Sequence, residues 1–297
     1  MKKFYLGISA LVYILILSNT ALASKMNDNP KVVVLSQPYS VSDDAIMQIL
    51  QAIPSPLEIS MLIKELGTVY NKTDLNNSDF VSKYNTSFKK ALNLGVYGTD
   101  LGFANIYSKN QDALNYLSSV KKLADGLSIG QFFDYQTIKK LAESANNFDE
   151  LLMTTTSNFE KINYHLSQQG RDHLSILLLT GGWIEALHIT TIVQQRSKHE
   201  DLKVKIAEQK IVLDQILKVL QMFKTKPEFP GLISDLNELK KVYNEISIET
   251  TYGQPTTQEV NGMLVVMDNN SSTVKVTDAQ IDKITSLIRS VRNKIIR

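Results

Sequence analysis

The apolar residues of this chain are arranged in two ways. From Phe4 to Leu17 they form a nearly unbroken run behind Lys2 and Lys3. Further on they step at intervals of three and four. Leu202, Ile206, Gln209, Leu213, Ile216, Leu220 and Phe223 follow that spacing, with one polar member. Leu232, Leu236, Leu239, Tyr243 and Ile246 repeat it, as do Ile281, Ile284, Ile288, Val291 and Ile295. Each series draws one apolar stripe along a helix, and such stripes suit antiparallel helices packed at shallow angles.

Between Asp79 and about Gly170 the same spacing predicts helices near 79–95, 99–107, 110–126, 135–145 and 148–168. Glycine pairs and polar clusters break them, at Gly95–Gly98 and Gly126–Gly130 among others. Ser55-Pro56-Leu57-Glu58 opens an earlier helix with a cap residue, a proline at the first helical position and a glutamate placed to bond back. Gly67 ends it. Thr277-x-x-Gln280 is a capping box before the last stripe.

One stretch departs from this pattern. Gly262 to Met267 and Thr273 to Val276 are β-prone runs flanking Asp268–Ser272, which reads as a hairpin. A lone two-stranded hairpin is marginal in water, so it should lie on the helices or pair with another segment, for which Val32–Leu35 is the candidate. The fold class expected is all-α: a bundle of about eight helices with a small C-terminal hairpin and a closing helix. The expected division is residues 1–23 as a signal peptide, 24–54 as an irregular lead, 55–248 as the helical domain, and 249–297 as hairpin and helix packed on that domain.

The N-terminal run sets the expected address. A basic start, an apolar stretch shorter than the ~20 residues of a spanning helix, and Ala21-Leu22-Ala23 before Ser24 together predict export with cleavage after Ala23. The mature chain would be periplasmic or secreted, with no integral membrane span. Removing Lys2 and Lys3 leaves 30 basic residues of the 32, against 30 acidic ones. A neutral balance argues against nucleic acid as a partner, since that affinity rests on a basic surface. The chain has no cysteine, hence no disulfide, thiolate metal site or N-terminal lipid anchor.

Candidate chemistry concentrates in Thr180 to His188. From Leu174 to Gln194 the only ionisable side chains are Glu185 and His188, on a helix apolar nearly all round. Such a helix belongs in the centre of a fold. Glutamate and histidine three apart can share a proton or a metal, as in one arm of a di-metal bundle. No second E-x-x-H occurs, so a buried couple that fixes helix register stands beside a ligand-contacting pair. Trp183, Gly181 and Gly182 would line the same candidate site. The two glycines in mid-helix are explained by close packing of another helix or by a ligand on the bare backbone. Asp100 reads either as a helix cap or as a buried carboxylate aimed at Glu185 or His188. No metal-binding, cofactor or nucleophile motif is recognisable.

Several phrases together resemble one family: Pro54–Ile59, Ala91–Tyr97 running into Asp100-Leu101, Lys122–Asp125 and Gly182–Glu185. The chain resembles a group of exported, all-helical bacterial proteins, often lipid-anchored, whose activity is uncharacterised. The resemblance covers roughly residues 54 to 247 and implies a helical fold and an exported address. It supplies no catalytic or binding residue, and this chain lacks the anchoring cysteine. The functional expectation is an exported binding or interaction protein for an unknown small ligand or envelope protein, without chemistry or cofactor. The alternative is an enzyme or metal protein built on Glu185 and His188.

Overall fold

A computed structural model describes residues 56–143, 148–251, 256–260, 263–267 and 271–297. Residues 1–23, expected to be a signal peptide, and Ser55 and Val32–Leu35 lie outside these residues. The chain divides into two units: Val41–Ile248 with Val274–Arg297, and Met1–Ser40 with Glu249–Thr273.

The described helices of the first unit are α1 (Pro56–Glu65), α2 (Ser87–Ile106), α3 (Asn110–Gly126), α4 (Tyr135–Glu143), α5 (Phe148–Gln168), α6 (Asp172–Ser197), α7 (Glu200–Met222), α8 (Phe229–Asn244) and α9 (Asp278–Ile295). Short 3₁₀ turns occupy Lys72–Asp74, Ser78–Lys83 and Gly130–Phe132. An all-α bundle with a closing helix is therefore the architecture. Its axis is the pair α2 and α6, which share the most extensive interface among the described elements. Around them, α1 touches both, α3 lies on α2, α7 and α9 lie on α6, and α8 bridges α7 and α9.

The three stripes lie in the core. Leu202, Ile206, Leu213, Ile216 and Leu220 are buried, and Phe223 at the end of α7 is half-buried against the core. On α8, Leu232, Leu236, Leu239 and Tyr243 are buried; so is Ile246 just beyond it. All five stripe residues of α9 are buried too. The Thr277–Gln280 capping box is formed at the start of α9. Gly67, at φ +70, follows α1 in the left-handed region that favours glycine.

Two expectations are corrected. Residues 79–95 and 99–107 are not two helices. A 3₁₀ turn covers Ser78–Lys83, and one helix runs unbroken from Ser87 to Ile106, capped by the Thr86 side chain on the Lys89 N–H. Gly95 does not break α2; it lets α6 approach, because a Cβ there would lie 1.9 Å from the Leu178 carbonyl oxygen and 2.5 Å from the Gly182 nitrogen. The second correction concerns strand pairing.

The strands among the described residues are β1 (Ser247–Thr251), β2 (Thr256–Val260), β3 (Met263–Met267) and β4 (Ser271–Lys275). The runs flanking 268–272 do not pair with each other. Instead β3 pairs antiparallel with β2, Val260 opposite Met263 and Thr256 opposite Met267, while β4 pairs with β1. Asn261-Gly262, between Val260 and Met263, is the stronger two-residue turn signal in the sequence.

Candidate functional site

Helix α6 has no hydrophilic side in its middle. Leu174 to Leu177 and Leu179 to Thr191 are buried. It is long and apolar enough to cross a membrane by composition, and 89% of its most apolar window is enclosed by the fold. Any ionisable group on it must therefore find its partner inside the protein.

Glu185 finds one. It is fully buried, and the Arg292 guanidinium of α9 donates to both its oxygens, Nε to Oε2 at 2.5 Å and Nη2 to Oε1 at 2.6 Å. This planar, two-pronged geometry is the strong form of a charge-assisted pair. Arg292 is itself 6% exposed; burial disfavours its charge, but attraction and hydrogen bonding from Glu185, with Asp100 and Tyr84 adding to them, push its guanidinium up. The pair joins residues 107 positions apart in sequence.

Asp100 joins the same cluster. It is not a cap but sits within α2, fully buried. Its Oδ2 accepts the Asn76 backbone N–H at 3.2 Å, and its Oδ1 has no donor among the described residues. Burial first, and the Glu185 carboxylate second, hold its carboxyl well above the usual carboxylate range, with Arg292 opposing them. The wall around it is phenolic. Tyr116 donates to the Asn76 carbonyl at 2.9 Å, Tyr97 to the Asn77 carbonyl at 2.8 Å, and Tyr84 to the Ile296 carbonyl at 3.2 Å. Tyr84 also accepts from the Asn76 side chain at 3.1 Å. Burial raises all three phenols, so they stay neutral and act as donors.

His188 is not part of a couple with Glu185. The glutamate's oxygens are taken by Arg292, and the imidazole Nδ1 is buried with no hydrogen-bond partner among the described residues. Burial, assisted by Arg292 and Arg289, pulls this imidazole down to about 2, so it is a neutral core residue near neutral pH. Among the described residues no group of three or more histidines, aspartates or glutamates stands close enough to hold a metal ion.

The remaining candidates serve packing. Trp183 is buried and donates Nε1–H to Gln209 Oε1 at 2.9 Å, which explains the one polar member of the α7 stripe. Gly181 faces the backbone of α2: a Cβ there would lie 1.9 Å from the Leu92 carbonyl oxygen. The Gly182 carbonyl accepts from Thr99 Oγ1 at 3.1 Å. Close approach of α2 accounts for Gly181.

Thus Asp100 and Glu185 are brought into one cluster, while Trp183, Gly181, Gly182 and His188 line the surrounding helix contacts. Sequence reasoning missed Arg292, Asn76 and Tyr84. Arg292 was signalled, because it stands four positions beyond Ile288 and three before Ile295, on the buried side of α9. Asn76 and Tyr84 lie in loops and carry no such periodic signal. A pocket of about 170 Å³ opens at the surface, with an apolar floor of Leu92, Leu232, Val291 and Ile295, and it contains none of the six candidate residues. Comparison with protein-family models, curated proteins and solved structures finds no match to this chain.

Proposed function

We propose that this chain is an exported helical binding or interaction protein that performs no chemistry of its own. The observation that carries the reading is the enclosure of its strongest ionisable cluster. Asp100 and Glu185 are fully buried, and both oxygens of Glu185 are engaged by Arg292. A general acid, base or nucleophile must come within hydrogen-bond reach of a substrate. These groups hold helices together instead. Export is supported by the basic start, apolar run and Ala21-Leu22-Ala23 site of the sequence.

The test incubates the mature protein with an extract of the host's envelope and compares the extract's small molecules before and after. Recovery of an unaltered compound or envelope protein bound to the chain fits the proposal. Consumption of a compound by the native protein, abolished by Glu185→Gln or by His188→Leu in a variant that still folds, would overturn it in favour of an enzyme. Sequencing the exported chain tests the address: a first residue of Ser24 agrees, and an intact Met1 in the cytosol does not.

A further inference from the structure

The cluster between α2, α6 and α9 holds two carboxyl groups and one guanidinium. From α2 it receives Asp100 and Tyr97, from α6 Glu185 and His188, from α9 Arg292, from α3 Tyr116, and from the preceding loops Tyr70 and Tyr84. Burial raises the phenols, Tyr70 included, and lowers the His188 imidazole, so all of them are neutral. Arg289 of α9 is exposed and acts on His188 from outside the cluster. With both acids ionised, the enclosed charge would be one negative too many, and a buried unpaired charge is among the least favourable things a core can contain.

The hydrogen bonding shows the same deficit. Among the described residues, Asp100 Oδ1 is an acceptor without a donor at 0% exposure, and so is the side-chain oxygen of Asn76 at 2%. Two orphan acceptors lie in one neighbourhood, where Asn76 already donates its N–H to Asp100. A single proton on the carboxyls restores neutrality and turns an orphan acceptor into a donor. Two carboxyls that share a site ordinarily keep one proton between them.

We propose that Asp100 keeps its proton beside the Glu185–Arg292 pair, and that this proton makes the seating of α9 through Arg292 a latch that loosens as pH rises. When α9 lifts and water reaches Asp100, its carboxyl returns to an ordinary carboxylate and the proton passes to solvent. Each opening therefore releases one proton, so opening becomes up to about tenfold more favourable per pH unit. His188 and His173 take no part above about pH 7, because burial pulls both imidazoles below the ordinary range at about 6.5.

The experiment measures hydrogen-exchange protection of the α9 amides, corrected for the intrinsic exchange rate, between about pH 7 and about pH 9. In the native full chain, protection should fall as pH rises from about 7, by up to about tenfold per pH unit, and level off where Asp100 ionises in the folded protein. In Asp100→Asn, whose amide supplies a donor without a titrating proton, protection should not depend on pH. Infrared spectra of the native protein near neutral pH should contain a protonated-carboxyl stretch, which keeps the proposal testable if Asp100→Asn fails to fold. Protection independent of pH in the native chain, the same slope in Asp100→Asn, or absence of a protonated carboxyl would each overturn the proposal.

Discussion

Gly95 of α2 and Gly181 of α6 stand at one helix crossing where neither has room for a β-carbon. A Cβ on Gly95 would lie 1.9 Å from the Leu178 carbonyl oxygen, and one on Gly181 would lie 1.9 Å from that of Leu92. Both obstacles are helix backbone, which cannot rotate aside. The two helices that carry Asp100 and Glu185 are thus brought together by residues with no side chain at all.

Gly181→Ala is therefore expected to cost about 3 kcal/mol or more, since the overpacking meets backbone. Gly98→Ala is the control. It lies in the same helix as Gly95, and a Cβ added there would meet nothing within 4 Å. This substitution should be neutral or stabilise by about 0.5–1 kcal/mol. Urea denaturation of the two variants checks this, and equal losses would show that the crossing is looser than described.

The α7 stripe gives a second prediction. Leu213→Ala should cost ~2–5 kcal/mol, because a fully buried side chain leaves a cavity. Lys218→Ala, on the exposed side, should change stability by no more than ~0.5 kcal/mol. Lys210, which stands off the stripe, is not idle: its ammonium donates to the Ile246 carbonyl at 2.8 Å, just past the end of α8. Calorimetric unfolding of the three alanine variants should rank Leu213 far above Lys210, and Lys210 above Lys218.

Most of this helical framework is legible in the sequence, because apolar spacing and caps are local signals. The stripes of α7, α8 and α9 and the Thr277–Gln280 box depend on neighbours a few residues away. The long α2 helix is obscured because Gly95 and Gly98 carry a helix-breaking signal, and the gain that outweighs it lies on α6. Strand pairing depends on which β-prone runs meet, and β3 pairs with β2 rather than with the run beyond Asp268–Ser272. At the candidate site, burial of Glu185 and His188 follows from their apolar helix. The identity of the partner does not, since Arg292 comes from the far end of the chain and nothing in α6 specifies it.

His188 makes the acid side of the stability curve predictable. Its imidazole is pulled down to about 2 in the folded protein, against about 6.5 when unfolded. Between those values the unfolded chain binds the proton and the folded chain does not, so stability is lost as pH falls below about 6.5. The native protein minus His188→Leu should lose about 1.4 kcal/mol per pH unit between about pH 6 and about pH 4, and show no slope above about pH 7. Using the difference removes the contributions of Asp100 and of His173, whose imidazole burial lowers to about 4. Denaturation at a series of pH values measures it; a flat difference would mean that His188 reaches water.

The most direct test of the central claim, that Glu185 and Arg292 form an enclosed structural latch, is a double-mutant cycle followed by chemical denaturation. Glu185→Leu alone should cost about 3–5 kcal/mol by leaving the Arg292 guanidinium buried and unpaired, and Arg292→Leu alone should cost as much by stranding the carboxylate. The double variant should fold and be more stable than either single one, by about 2 kcal/mol or more, because no uncompensated charge remains. Losses that simply add in the double variant would contradict the claim.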